Sequence, residues 1–197
     1  IRRLAARFVH NRKLLGKFLF CTTGKYWGRL IIPYVKNGVP YYFQARSLNG
    51  ATPKYLNPSR ETHNIKSSDV LYPFDKNKEY VFVTEGPIDA ITLQTNGINA
   101  TCTQGSNMSL TQARELRGRK VILSFDNDDP GRAGMAKAKR TLLACQENRI
   151  YCCTPPEKYK DWNEFHMNVK PEEFDQHVVE SIFKLDFDFL ITESLSS

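Results

Sequence analysis

Two short stretches of this chain are apolar without alternation, and each runs straight into an acidic turn. Tyr80-Val81-Phe82-Val83-Thr84 leads to Glu85-Gly86-Pro87, and Lys120-Val121-Ile122-Leu123-Ser124-Phe125 leads to Asp126-Asn127-Asp128-Asp129-Pro130-Gly131. Continuous β-branched runs of about five or six residues predict strands covered on both faces, as in parallel sheets. Pro87 and Pro130 stand where helices begin, because the first turn of a helix has no use for a proline N–H. Helical patterns follow over Ile88–Thr95, halted by Asn96-Gly97, and over Ala133–Gln146. Between them Ile98–Thr103 predicts a strand, Gln104–Asn107 a loop, and Ser109-Leu110-Thr111-Gln112 a near capping box that opens a helix to Leu116. Ile150–Thr154 predicts a fourth strand, a helix begins near Asp161, and Pro171–Phe183 predicts a last amphipathic helix before a frayed tail over Thr192–Ser197.

The N-terminal part is patterned differently. Leu4, Phe8, Leu14, Leu15 and Phe18 recur among Arg and Lys, which predicts amphipathic turns or helices over 2–18. Arg29–Val35 and Val39–Ala45 flank Lys36-Asn37-Gly38, a strong hairpin signal. A Gly-containing loop then leads to Lys54-Tyr55-Leu56-Asn57-Pro58, and Asn64–Asp75 reads as a linker.

Charge separates the same two parts. The first 60 residues hold twelve Lys/Arg and no acid, leaving 16 Lys/Arg against 21 acids beyond them. A basic lobe joined to an acidic one suits an enzyme that handles a polyanion with the help of cations. Without that partner the basic face would serve only solubility. The 197 residues, 41% of them hydrophobic, suit one compact unit or two lobes sharing a core. No apolar run of about 18 residues predicts a membrane span, and the charged first residues are unlike a signal peptide. The chain does not open with Met, as expected of a fragment or processed form. Cys21, Cys102, Cys145, Cys152 and Cys153 have no CxxC or zinc-ribbon spacing, so reduced, packed thiols and no zinc are expected.

The chemistry is expected at the strand ends, where open α/β sheets place their sites. Carboxylates converging there repel one another unless a cation lies between them. Asp126 and Asp128, two apart across a turn, can both reach one ion. The competing reading is that Asp128 or Asp129 simply caps the helix after Pro130.

Glu85-Gly86-Pro87-Ile88-Asp89, followed some forty residues later by Asp126-Asn127-Asp128 and Gly131-Arg132, resembles the Toprim domain of DnaG-type primases, topoisomerases and certain nucleases. The hairpin with Lys54–Pro58 resembles the basic subdomain that precedes Toprim in the primases. Lys160-Asp161-Trp162-Asn163-Glu164 is similar to their K-D-x-N-E motif. The resemblance covers about Gly28–Phe165. It departs from the pattern at Ile88, where many members carry an aromatic residue or Met before the aspartate, at Asn127 where Gly is usual, and at Asp129 where bacterial primases often carry Arg; these departures resemble phage or mobile-element primases.

The resemblance implies an α/β fold: a basic α+β subdomain over 1–76, a Toprim domain over 77–160 with a central, mostly parallel four-stranded sheet flanked by helices, and a helical segment over 161–197. It implies an RNA primase core in which Glu85, Asp126 and Asp128 hold Mg²⁺ or Mn²⁺ for two-metal nucleotidyl transfer. Asp89, Asp129 and Asp161 are secondary acidic candidates, Asp161 standing equally as a helix cap. Arg46, Lys54, Asn57, Arg132 and Gly105 are expected at template or NTP, with Tyr55, Leu56 and Pro58 as packing residues. The implied partners are single-stranded DNA, NTPs and, through a part not in this chain, a replicative helicase, in a bacterial cytoplasm and possible phage ownership. A Toprim nuclease or phosphodiesterase and a silent DNA-binding module are the alternatives.

Overall fold

The computed structural model describes residues 18–59, 64–145 and 149–182. All but Phe18 of the turns expected over 2–18, with Gln146, Phe183 and the tail, lie outside these residues. The hairpin forms as its sequence dictates. Strand β1 (Leu19–Phe20), β2 (Arg29–Lys36), β3 (Val39–Ser47) and β4 (Tyr55–Leu56) make an antiparallel sheet in the order β1-β2-β3-β4. Asn37 and Gly38, at φ 52° and 78°, close β2 on β3 with Lys36 opposite Val39. Two positive φ values in succession match the right-handed twist of the strands, and Asn-Gly adopts them at little cost. Leu30, Ile32 and Tyr34 alternate inward along β2.

The second sheet is parallel throughout: β5 (Tyr80–Thr84), β6 (Ala100–Cys102), β7 (Lys120–Leu123) and β8 (Ile150–Cys152) lie in the order β6-β5-β7-β8. Helices α1 (Pro87–Thr95), α2 (Leu110–Glu115), α3 (Asp129–Cys145) and α4 (Trp162–Asn168) connect or follow its strands, and α5 spans 171–182. Val81 and Val83 face a cluster with Leu116, Leu123, Phe125 and Leu142. Phe82 faces the other way, into Ile91, Leu93, Trp162, Phe165 and Phe174. That second cluster continues without a break into Ile32, Tyr34, Tyr42 and Tyr72, so the two sheets share one core. Covering both faces is why the strands read as unbroken apolar runs.

Several boundaries differ from expectation for local reasons. β6 and β8 are shorter than predicted. Asn99, before β6, turns its amide to Tyr80 O at 2.8 Å and Asp75 O at 2.9 Å, fastening the loop ahead of β5. α3 starts four residues before Ala133 because Asp128 Oδ1 accepts the Gly131 N–H at 2.9 Å and caps it. The linker reading of 64–75 is corrected: Val70, Leu71 and Tyr72 are buried, and Tyr41 and Gln112 both reach carbonyls of this segment.

Candidate active site

Strands β5 and β7 are neighbours, yet the chain leaves them in opposite directions, toward β6 on one side and β8 on the other. A crevice opens at the carboxyl ends of two such strands, where the departing loops diverge. Glu85 follows β5 directly. Asp126 follows β7 by two buried residues that fix its position: Phe125 packs under α3, and Ser124 Oγ donates to Cys153 O while accepting Trp162 Nε1 at 2.6 Å.

The acids form a connected group with unequal proton affinities. Burial, then the Asp126 charge, pushes Glu85 up to about 7. Its Oε1 is buried and, among the described residues, has no hydrogen-bond partner. Burial and the neighbouring Asp161 push Asp126 up to about 6, against the pull of Lys160. Asp128 goes the other way. A hydrogen bond from Lys160, at 2.9 Å from Oδ2, and the Gly131 N–H on Oδ1 hold it below the usual carboxylate range. Asp128 is therefore both the helix cap and a member of the acidic group. Asp89 is buried and is pushed up to about 8 by desolvation and the charges of Asp161 and Asp126. It accepts the Asn163 N–H at 3.0 Å, while Asp161 accepts the Glu164 N–H at 2.7 Å as the cap of α4. Both aspartates thus fix the start of α4 against the crevice.

A cationic wall faces this group across a cleft. Arg46, Tyr55 and Gln44 from the antiparallel sheet, with Lys54 from the loop before β4, line it opposite Glu85, Asp89, Asp126 and Asp161. Tyr55, taken from sequence as a packing residue, lies in the wall itself. Its hydroxyl accepts from Arg46 Nη1 at 2.5 Å, and the Arg46 and Lys54 cations stand 5.4 and 6.0 Å from its ring centre. Behind the wall the buried Arg29 guanidinium donates to Ala45 O at 3.2 Å and Pro53 O at 2.9 Å, which shapes the loop that carries Lys54. Gly105 lines the cleft at φ 146°, a conformation few other residues accept, and its N–H donates to Glu85 O at 2.9 Å.

Other candidates sit elsewhere. Asn57 accepts from Gln44 Nε2 at 3.2 Å and from Tyr26 through its carbonyl, behind the cleft rather than in it. Asp129 is 93% exposed and pairs at 2.6 Å with Arg132, which also donates to Asn127 O at 3.2 Å on the outer side of α3. Sequence reasoning missed Gln44, Tyr55, Gln104 and Asn163 as cleft residues and Lys160 as an acid partner. The K-D-x-N-E match was the available signal for the last two of these on α4 and its approach.

Among the described residues no three His, Cys, Asp or Glu side chains already stand together as a metal-binding cluster. The donor set nevertheless fits a hard divalent cation, which takes carboxylate oxygens. Glu85 Oε1 is an orphaned buried acceptor, and an ammonium already stands between Asp126 and Asp128. Gly131 packs tightly beside these acids: a Cβ there would collide with Asp126 O and come within 3.0 Å of Glu85 Oε1.

Residues 82–166 match the model of the Toprim-like family. The DNA primase of Thermotoga maritima is 32% identical over 71% of this chain, a match that spans 26% of the relative's length. The Gene 57 protein of Mycobacterium phage D29 is 29% identical over 59% of this chain and 80% of its own. A crystal structure of the Aquifex aeolicus primase, comprising zinc-binding and RNA polymerase domains, superposes with a TM-score of 0.65 at 26% identity. That superposition covers 91% of this chain and 49% of the other. The chain thus spans about a quarter of the length of the curated bacterial primase it matches.

Proposed function

This chain is a Toprim-domain protein related to DNA primases, and on that premise we propose that it is the catalytic core that joins ribonucleotides into short primers on single-stranded DNA. The observation that supports this best is the cleft itself, in which Glu85, Asp126, Asp89 and Asp161 face Arg46, Lys54 and Tyr55. Acids that invite divalent cations and a wall that invites phosphates belong together in phosphoryl-transfer chemistry.

In this reading Glu85, Asp126 and Asp128 hold Mg²⁺ or Mn²⁺, with Asp89 and Asp161 beside them. Divalent ions there would lower the barrier to attack of a 3′-hydroxyl on an α-phosphate and neutralise the leaving pyrophosphate. Glu85 and Asp126 must shed protons to act as ligands. Arg46 and Lys54 hold template or triphosphate, and the Tyr55 ring keeps both cations aimed into the cleft. Arg29 fixes the loop behind them. Pairing with the template, rather than any side chain, selects the nucleotide. No helix among the described residues is long and apolar enough to cross a membrane. Single-stranded DNA and nucleoside triphosphates are the proposed partners, beside a replicative helicase in a bacterial or phage-infected cytoplasm.

The test is to incubate the chain with single-stranded template, labelled NTPs and Mg²⁺ or Mn²⁺. Template-dependent short oligoribonucleotides support the proposal. Cleavage of the template without synthesis would replace it with a nuclease.

A further inference from the structure

Lys160 stands where an ion would. Its Nζ lies 2.9 Å from Asp128 Oδ2 and 3.9 Å from Asp126 Oδ2, in the gap between the two carboxylates. Its main chain is clamped there. The N–H of Asn127, the residue between those aspartates, donates to Lys160 O at 2.7 Å, and the Lys160 N–H donates to Glu164 Oε2 at 2.6 Å. The Asn127 side chain adds bonds to Pro155 O at 2.8 Å and Tyr159 O at 3.0 Å. The acidic turn and the loop that carries Lys160 are thus one hydrogen-bonded unit. A glycine at 127 would keep the main-chain bond and lose the side-chain ones.

This anchoring fixes where the lysine starts, while its flexible stem leaves the ammonium able to swing; its side chain is 57% exposed. An ammonium and a divalent cation cannot share the space between two carboxylates. A partly exposed ion pair is also weak enough to be exchanged.

We propose that Lys160 is a tethered counter-ion: it fills the Asp126–Asp128 gap in the metal-free chain and yields it to the incoming divalent cation. The proposal rests on the metal assignment made above. Lys160 is then a positioning residue. It offsets the repulsion between two like charges before the metal arrives, at the cost of competing with that metal.

Mn²⁺ titration of the full chain, followed by the spectroscopic signal of free Mn²⁺, tests this. Lys160→Met should bind Mn²⁺ about fivefold more tightly than wild type, the upper range for an exposed ion pair. Asn127→Gly, which loosens the clamp, should shift in the same direction by less. On the wild-type chain, acylation of the Lys160 amine should be slow in EDTA and accelerate at saturating Mg²⁺. Equal or weaker Mn²⁺ binding by Lys160→Met, with binding still lost in the Asp126→Asn, Asp128→Asn double variant, would overturn the tether and leave the metal assignment standing. No Mn²⁺ binding by the wild-type chain would overturn both.

Discussion

Replacing Asp126 by Asn should stabilise the metal-free chain at pH 8, although it removes a proposed ligand. Burial and Asp161 raise this carboxyl from 3.8 to about 6, so its charged form is disfavoured in the fold. That difference corresponds to about 3 kcal/mol. The side chain keeps 23% of its exposure, and solvent screening cuts that figure to about 1–2 kcal/mol. The sign follows from proton linkage. The folded state binds more protons than the unfolded one between the two values, so wild-type stability is fullest below pH 4 and is lost as pH rises through 6. The gain in Asp126→Asn should therefore appear above pH 6 and vanish near pH 4. Urea unfolding in EDTA at both pH values measures it. Mg²⁺ should restore stability to the wild type and not to the variant. A variant less stable than wild type at pH 8 in EDTA, or a gain equal at both pH values, would refute the reasoning.

Asp128→Asn should differ in sign, costing up to about 1 kcal/mol in EDTA, because Lys160 and the Gly131 N–H already favour its charge; the same urea titration separates the pair. Mg²⁺ affinity should rise steeply from pH 6 to pH 8 as Glu85, at about 7, and Asp126, at about 6, lose protons, which calorimetric titration across that range would follow. Arg46→Ala or Lys54→Ala should weaken single-stranded DNA binding and flatten its salt dependence by about one ion, while Mn²⁺ binding persists; fluorescence anisotropy against salt reads this. Gly131→Ala should destabilise the fold by about 1–3 kcal/mol, since a Cβ meets the Asp126 carbonyl, and thermal unfolding checks it.

What the sequence showed and hid follows from the range of the interactions. β5 and β7 were legible because burial on both faces leaves an unbroken apolar run, and the hairpin because Asn37-Gly38 has few other uses. The capping box came through intact: Ser109 and Gln112 exchange bonds as their spacing implies. Asp128 could not be assigned to cap or acidic group because it is both, one oxygen for each. Tyr55 looked like packing because an aromatic in a short strand carries no mark of facing a cleft. Lys160 stayed hidden for a different reason. Its approach to the acids depends on the loop after β8 folding back onto a turn far earlier in the sequence, held by Asn127, and no local pattern encodes that return.

Whether the acids of the crevice drive the proposed template-directed nucleotide joining is decided by labelled NTP incorporation on single-stranded DNA in Mg²⁺, comparing wild type with the Asp126→Asn, Asp128→Asn double variant at matched folded concentration. The wild-type chain should build short oligoribonucleotides, and the double variant should build none while still binding DNA through Arg46 and Lys54. Synthesis by the double variant at the wild-type rate would contradict the account and move the chemistry out of this cleft.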